Sequence, residues 1–200
     1  MKVTEQRKAL ATAVKAARAS GKLIHQNHRS TKAINSQSQH DIKLELDVRC
    51  QKAIERIVLK DFPKSAVFGE EGSVGDKNAS CRWVVDPIDG TVNFTYGIPH
   101  VCVSIALQEK DAQTGDWITQ VGVVLDPFCN ELWTAIRGQP AKLNGTPIRV
   151  SQRRKLAEAI VSIGFAKSAE TMRRTLPYFN NLVPKVRQIR TMGPAALGIV

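Results

Sequence analysis

Apolar residues recur at helical spacing through the first part of the chain. Leu10, Ala13, Val14, Ala17, Leu23 and Ile24 share a face and predict a helix over 4–27, with Thr4 as its cap. The next stretch, HRSTKAINSQSQH, is polar and reads as a loop. Leu46, Cys50, Ile54, Ile57 and Val58 restore a helical pattern over 41–60, which Phe62-Pro63 ends. From Ala66 the period shortens to that of strands. Arg82 to Val85, His100 to Leu107, Gln120 to Leu125 and Glu131 to Ile136 read as strands, the last two joined as a hairpin by DPFCN. Asn144-Gly145 predicts a tight turn between short extended pieces. Ala159 to Ile163 and Val186 to Arg190 read as strands, and 168–182 as a helix that Pro177 limits. Met192-Gly193-Pro194 opens an apolar stretch to Val200 that reads as a final helix with Pro194 in its first turn.

A chain of 200 residues can bury a core of its own, and its 42% hydrophobic content is that of a globular protein. There is no apolar run of about 18 residues, so no membrane span is expected. The N-terminal stretch lacks an apolar h-region and does not read as a secretory signal. Cys50, Cys81, Cys102 and Cys129 are widely spaced, which suits reduced thiols and a cytoplasmic location and offers no zinc pair. The net charge of +11 is concentrated late, because residues 131–200 carry 12 Lys or Arg against 3 Asp or Glu. Such an excess marks either a nucleic-acid surface or a domain whose acidic complement lies elsewhere. No aromatic interleaving or nucleic-acid motif accompanies it, so no nucleic-acid partner is expected.

The chemistry concentrates in WVVDPIDGTVNF, residues 83–94. An apolar strand delivers Asp86 to a sheet edge, Pro87 releases the chain from the ladder, and Gly90 permits a tight turn. Thr91 is placed to cap a helix beginning at Val92 or Asn93. Two carboxylates as close as Asp86 and Asp89 repel unless a cation lies between them. All-oxygen ligands, including the Ile88 carbonyl, favour Mg²⁺ over softer metals. Glu70-Glu71 in VFGEEG and Asp47 on the second helix are further acids within reach of such a site. Taken singly, each reads blandly: a turn whose aspartates cap a helix, a solvated loop, a surface helix acid. Together they point to one site.

The stretch W-V-V-D-P-I-D-G-T-V-N-F resembles the pattern W-x-x-D-P-x-D-G-T-x-N-F of the inositol monophosphatase family. G-E-E-G at 69–72 and R-T-M-G-P-A-A-L at 190–197 resemble two further elements of that family. The resemblance implies an α+β fold of alternating α/β layers, the inositol monophosphatase-like sugar phosphatase fold, C-terminally incomplete. It divides the chain into an N-terminal metal-binding domain, residues 1–140, and a partial C-terminal α/β domain, residues 141–200. It implies Mg²⁺-dependent hydrolysis of a phosphate monoester, with two or three ions, and a homodimer. By resemblance, Glu70, Asp86, the Ile88 carbonyl and Asp89 bind metal, and Asp47, Glu70 and Thr91 serve the attacking water. Gly90 and Thr91 offer amides to phosphate, while Gly193 and Ala195 lie beside the substrate. The substrate is a small phosphorylated polyol or sugar, first of all myo-inositol 1-phosphate. Another sugar, histidinol or nucleotide phosphate is the alternative.

The chain departs from the family pattern in three places. DIKLELD replaces D-L-V-T-x-x-D on the second helix, with Leu44 at the threonine position and both acids, Asp41 and Asp47, kept. The preceding stretch INSQSQHD has no lysine. The family's C-terminal W-D element, with its metal-binding aspartate, is absent. On that ground the 200-residue chain is expected to be crippled or inactive by itself, and a catalytically inactive binding or structural role is the third reading.

Overall fold

The computed structural model describes residues 1–37, 42–76, 78–164 and 168–200. Two long helices, α1 (Val3–Asn27) and α2 (Glu45–Asp61), pack on one face of an eight-stranded sheet. Between them, β1 (Ile34–Gln37) and β2 (Ile42–Leu44) pair antiparallel. The sheet is built from β3 (Ala66–Gly69), β4 (Gly72–Gly75), β5 (Cys81–Asp89), β6 (Cys102–Lys110), β7 (Trp117–Asp126), β8 (Glu131–Ile136), β9 (Lys142–Leu143) and β10 (Thr146–Pro147). Their order is β10-β9-β8-β7-β6-β5-β3-β4. The short α3 (Thr91–Thr95) follows β5. Beyond the sheet, β11 (Ile160–Ser162) and β12 (Gln188–Arg190) pair in parallel around α4 (Ala169–Leu182). Helices layered against a mixed sheet match the α+β layering expected from the sequence.

Alternation in the strands decides which face meets the helices. Val103, Ile105 and Leu107 of β6 are buried, and so are Val121, Val123 and Leu125 of β7. Ala9, Ala13, Ala16 and Ala17 give α1 a stripe of small side chains, which lets it lie close to its neighbours. Trp83 and Phe94 are fully buried, each side chain contributing roughly 1.5–3 kcal/mol by burial.

Several expected boundaries move. The polar segment after α1 holds a hairpin strand, because β1 pairs with β2 through a register irregularity between Ile34 and Ser36 that hides the period-2 signal. The second helix begins at Glu45, since Ile42–Leu44 is strand; Asp41, the first residue of the expected helix, lies outside the described residues. Thr4 lies inside α1, whose cap is Lys2, its amide donating to Glu5 Oε2 at 3.1 Å. Helix α4 runs through Pro177, losing one backbone bond on an exposed helix. From Pro194 onward only a 3₁₀ turn forms, Ala196–Gly198. A few residues including Gly198 do not offset the cost of nucleating an α-helix. All four cysteines are free, Cys50 and Cys102 buried, Cys81 half-buried and Cys129 exposed. Among the described residues no helix is long and apolar enough to cross a membrane.

Candidate active site

Parallel pairing of β3 with β5 sets Gly69 opposite Val85, where β3 ends while β5 runs on along β6 to Asp89. Glu70, the first residue after β3, therefore lies beside Asp86 of β5, with the Glu70 amide donating to the Val85 carbonyl at 3.2 Å. Across β6, Asp86 pairs with Ser104 and Asp89 with Cys102, so three steps on β5 match two on β6. This is a bulge at Pro87, which has no N–H for the ladder. It turns DPID out of the regular pleat at the sheet edge. Gly90 then adopts φ 104° and caps α3, so Thr91 is the first helical residue rather than the cap. A Cβ at Gly90 would lie 2.8 Å from Pro194 Cγ, which is why the backbone here is glycine.

Asp47 reaches the same edge from the first turn of α2. It is 3% exposed. Its Oδ2 accepts from the Leu44 amide at 2.7 Å, closing the start of α2. Its Oδ1 faces the Thr91 hydroxyl at 3.5 Å, which also donates to the Ile88 carbonyl at 2.9 Å. Burial, opposed by the Leu44 hydrogen bond and reinforced by Glu71 and Glu70, pushes the Asp47 carboxyl up to about 7. Burial likewise lifts Asp86 well above the usual carboxylate range, and Glu70 and Asp89 add to the effect. The Ile88 amide, donating to Asp86 Oδ1 at 3.2 Å, works against it.

Neighbouring acids thus raise the proton affinity of Asp47 and Asp86, the mark of a site short of positive charge. Their all-oxygen donor set, with the Ile88 carbonyl beside it, suits a hard divalent cation. Among the described residues, however, no three His, Cys, Asp or Glu side chains already share a metal-binding geometry. Asp89 accounts for part of this, because both its oxygens accept backbone amides, from Ala195 at 3.0 Å and Ala196 at 2.7 Å. Asp41 lies outside the described residues.

The later segment closes over the motif. Asn93 Nδ2 donates to the Met192 carbonyl at 2.8 Å and to the His100 carbonyl at 2.9 Å. Gly193 sits against the Asn93 side chain, and Ala195 beside Asp89. The structure therefore brings together Asp47, Glu70, Asp86, Ile88, Asp89, Gly90, Thr91, Gly193 and Ala195 around one edge of the sheet.

Two participants escape a reading of the sequence. Gln51 Oε1 accepts from the Glu71 amide at 2.8 Å and its Nε2 donates to the Gly72 carbonyl at 3.1 Å, clamping the GEEG turn. One helical turn separates it from Asp47, a spacing that signals a shared face. Lys43 pairs with Glu71 at 3.2 Å, so of the two adjacent glutamates Glu71 is the one in an ion pair. That pairing crosses from β2, a strand the sequence hides.

A family model described as the inositol monophosphatase family matches residues 5–200. The chain is 38% identical over 196 residues to inositol monophosphatase 1 of Solanum lycopersicum, covering 95% of this chain and 70% of that protein. It is 36% identical over 191 residues to the Nus factor SuhB of Pasteurella multocida, covering 94% and 69%. Among solved structures, the extragenic suppressor protein SuhB of Bartonella henselae is similar with a TM-score of 0.87 at 30% identity, covering 96% of this chain and 72% of that one. The Thermotoga maritima IMPase is similar with a TM-score of 0.80 at 30% identity, covering 96% and 70%.

Proposed function

This chain belongs to the inositol monophosphatase family, and on that premise we propose that it hydrolyses a small phosphate monoester with Mg²⁺, myo-inositol 1-phosphate being the first candidate. The observation that carries the reading is the meeting of Glu70, Asp86 and Asp47 at one sheet edge, where Glu70 raises the proton affinity of both aspartates. Glu70, Asp86, the Ile88 carbonyl and Asp89 would hold Mg²⁺, the metal the family generally uses. When bound, it supplies Lewis acidity and a water that ionises near neutral pH.

The chain's own residues set the rest of the chemistry. Asp47, buried with its Oδ1 3.5 Å from the Thr91 hydroxyl, takes the proton of the water that Thr91 orients. Thr91, pinned by its bond to the Ile88 carbonyl, holds the attacking water in line. The first amides of α3, from Gly90 and Thr91, lack helical partners and face the phosphate. Gly193 and Ala195 bound the pocket for the alcohol. The relative named inositol monophosphatase 1 favours inositol phosphate, and another sugar, histidinol or nucleotide phosphate remains the competing substrate. By the same premise the protein is a cytoplasmic homodimer.

A second reading is a binding role without turnover. It is favoured by the Asp89 carboxylate, both of whose oxygens are taken by amides, and by the relative named Nus factor SuhB. Phosphate release from a panel of monoesters, with and without Mg²⁺, separates the two. Release from inositol 1-phosphate that stops on chelation supports hydrolysis; Mg²⁺ binding with no release from any member supports the second reading.

A further inference from the structure

The late charge excess has a defined place in the fold. A concavity of about 750 Å³ is lined by Arg153, Arg154, Lys155 and Arg187, with Ser151 and Glu158. The run Arg153–Lys155 leads into a 3₁₀ turn, Leu156–Glu158, and then into β11. Arg187 stands one residue before β12, the parallel partner of β11. Its amide donates to the Ala159 carbonyl at 2.9 Å, which holds the backbone of the fourth cationic residue beside the segment that follows the other three.

Among the described residues four cations therefore share one hollow with a single carboxylate. Among the described residues none of the four has an ion-pair partner; the salt bridges there are Met1–Glu109 and Lys43–Glu71. Like charges held this way repel one another until an anion enters. Three of the four are arginines, whose planar forks match phosphate oxygens two at a time. The volume lies in the range that encloses a small ligand. Among the described residues no aromatic side chain lines it and offers the stacking platform of a single-stranded nucleic-acid site. None of the acids of the candidate active site lines it either.

We propose that this hollow binds a compact, soluble ligand carrying two or more linked or neighbouring phosphates, at a site separate from the candidate active site. Calorimetric titration of the full chain in metal-free buffer tests it, with pyrophosphate and tripolyphosphate as probes and orthophosphate as reference. Pyrophosphate is expected to bind one to one, at least about tenfold more tightly than orthophosphate, because each added phosphate engages further charged donors. The double variant Arg153→Gln, Arg187→Gln is expected to weaken it at least tenfold with an unchanged melting midpoint, while Asp86→Asn leaves it unaltered. Binding that survives the double variant, or that Asp86→Asn abolishes, overturns the proposal. So does a single-stranded oligonucleotide or an anionic vesicle that binds more tightly than tripolyphosphate and is not displaced by it.

Discussion

The Asp89 carboxylate accepts the backbone amide of Ala196 at 2.7 Å, joining the end of β5 to a turn more than a hundred residues later. Its other oxygen takes the neighbouring Ala195 amide at 3.0 Å. Charge-assisted bonds of this kind are worth more than neutral ones. Asp89→Ala is therefore expected to lower the unfolding free energy by about 1–3 kcal/mol in urea titrations. Asp89→Asn, with one acceptor oxygen instead of two, should recover only part of the loss. A stability equal to wild type in both variants would show that the later turn is held by other contacts.

The same junction depends on the bare backbone of Gly90. With φ 104° and Pro194 Cγ 2.8 Å from the position of a Cβ, Gly90→Ala meets both strain and a clash. The expected cost is about 1–3 kcal/mol, together with faster hydrogen exchange at the Ala195 and Ala196 amides. Exchange left as slow as in wild type would contradict the junction described.

The two adjacent glutamates should behave differently. Glu71 is paired with Lys43 at 3.2 Å, a partly exposed bridge of small energetic weight. Glu71→Gln is expected to leave Mg²⁺ affinity within about threefold, and Glu70→Gln to weaken it tenfold or more. Equal losses from the two substitutions would assign both to the metal.

Stability should depend on pH with an unusual sign. The Asp47 carboxyl has an ordinary value of 3.8 when exposed and titrates at about 7 in the fold. The folded state then holds a proton that the unfolded chain gives up. Its contribution is fully present below about pH 4 and is lost as pH rises through about 7. For metal-free protein, unfolding free energy should fall by roughly 2–4 kcal/mol over that window. Mg²⁺ should restore stability at the upper end. Asp47→Asn should flatten the slope; a profile that rises with pH in wild type would refute the assignment.

How much of this was legible in the sequence depended on distance along the chain. The acids of DPIDGT and GEEG declared themselves because strand, proline and glycine signals lie beside them. Together they pointed to one site, yet the parallel pairing of β3 with β5 that sets Glu70 beside Asp86 is written in no local pattern. The β1–β2 pairing stayed hidden because Asn35, Ser36 and Gln37 of β1 are polar and its register is broken. The apolar stretch after Pro194 read as a helix, yet its leading amides bond to Asp89 and only a 3₁₀ turn follows. Asn93 showed in the motif, but its bond to the Met192 carbonyl spans too many residues for any spacing rule to find.

The account rests on acids that converge to hold a hard cation, and calorimetric titration of Mg²⁺ into wild type and Asp86→Asn tests that most directly. Binding in wild type that Asp86→Asn removes, with the fold preserved by circular dichroism, is the predicted result. No uptake by wild type, or equal uptake by both, would contradict it.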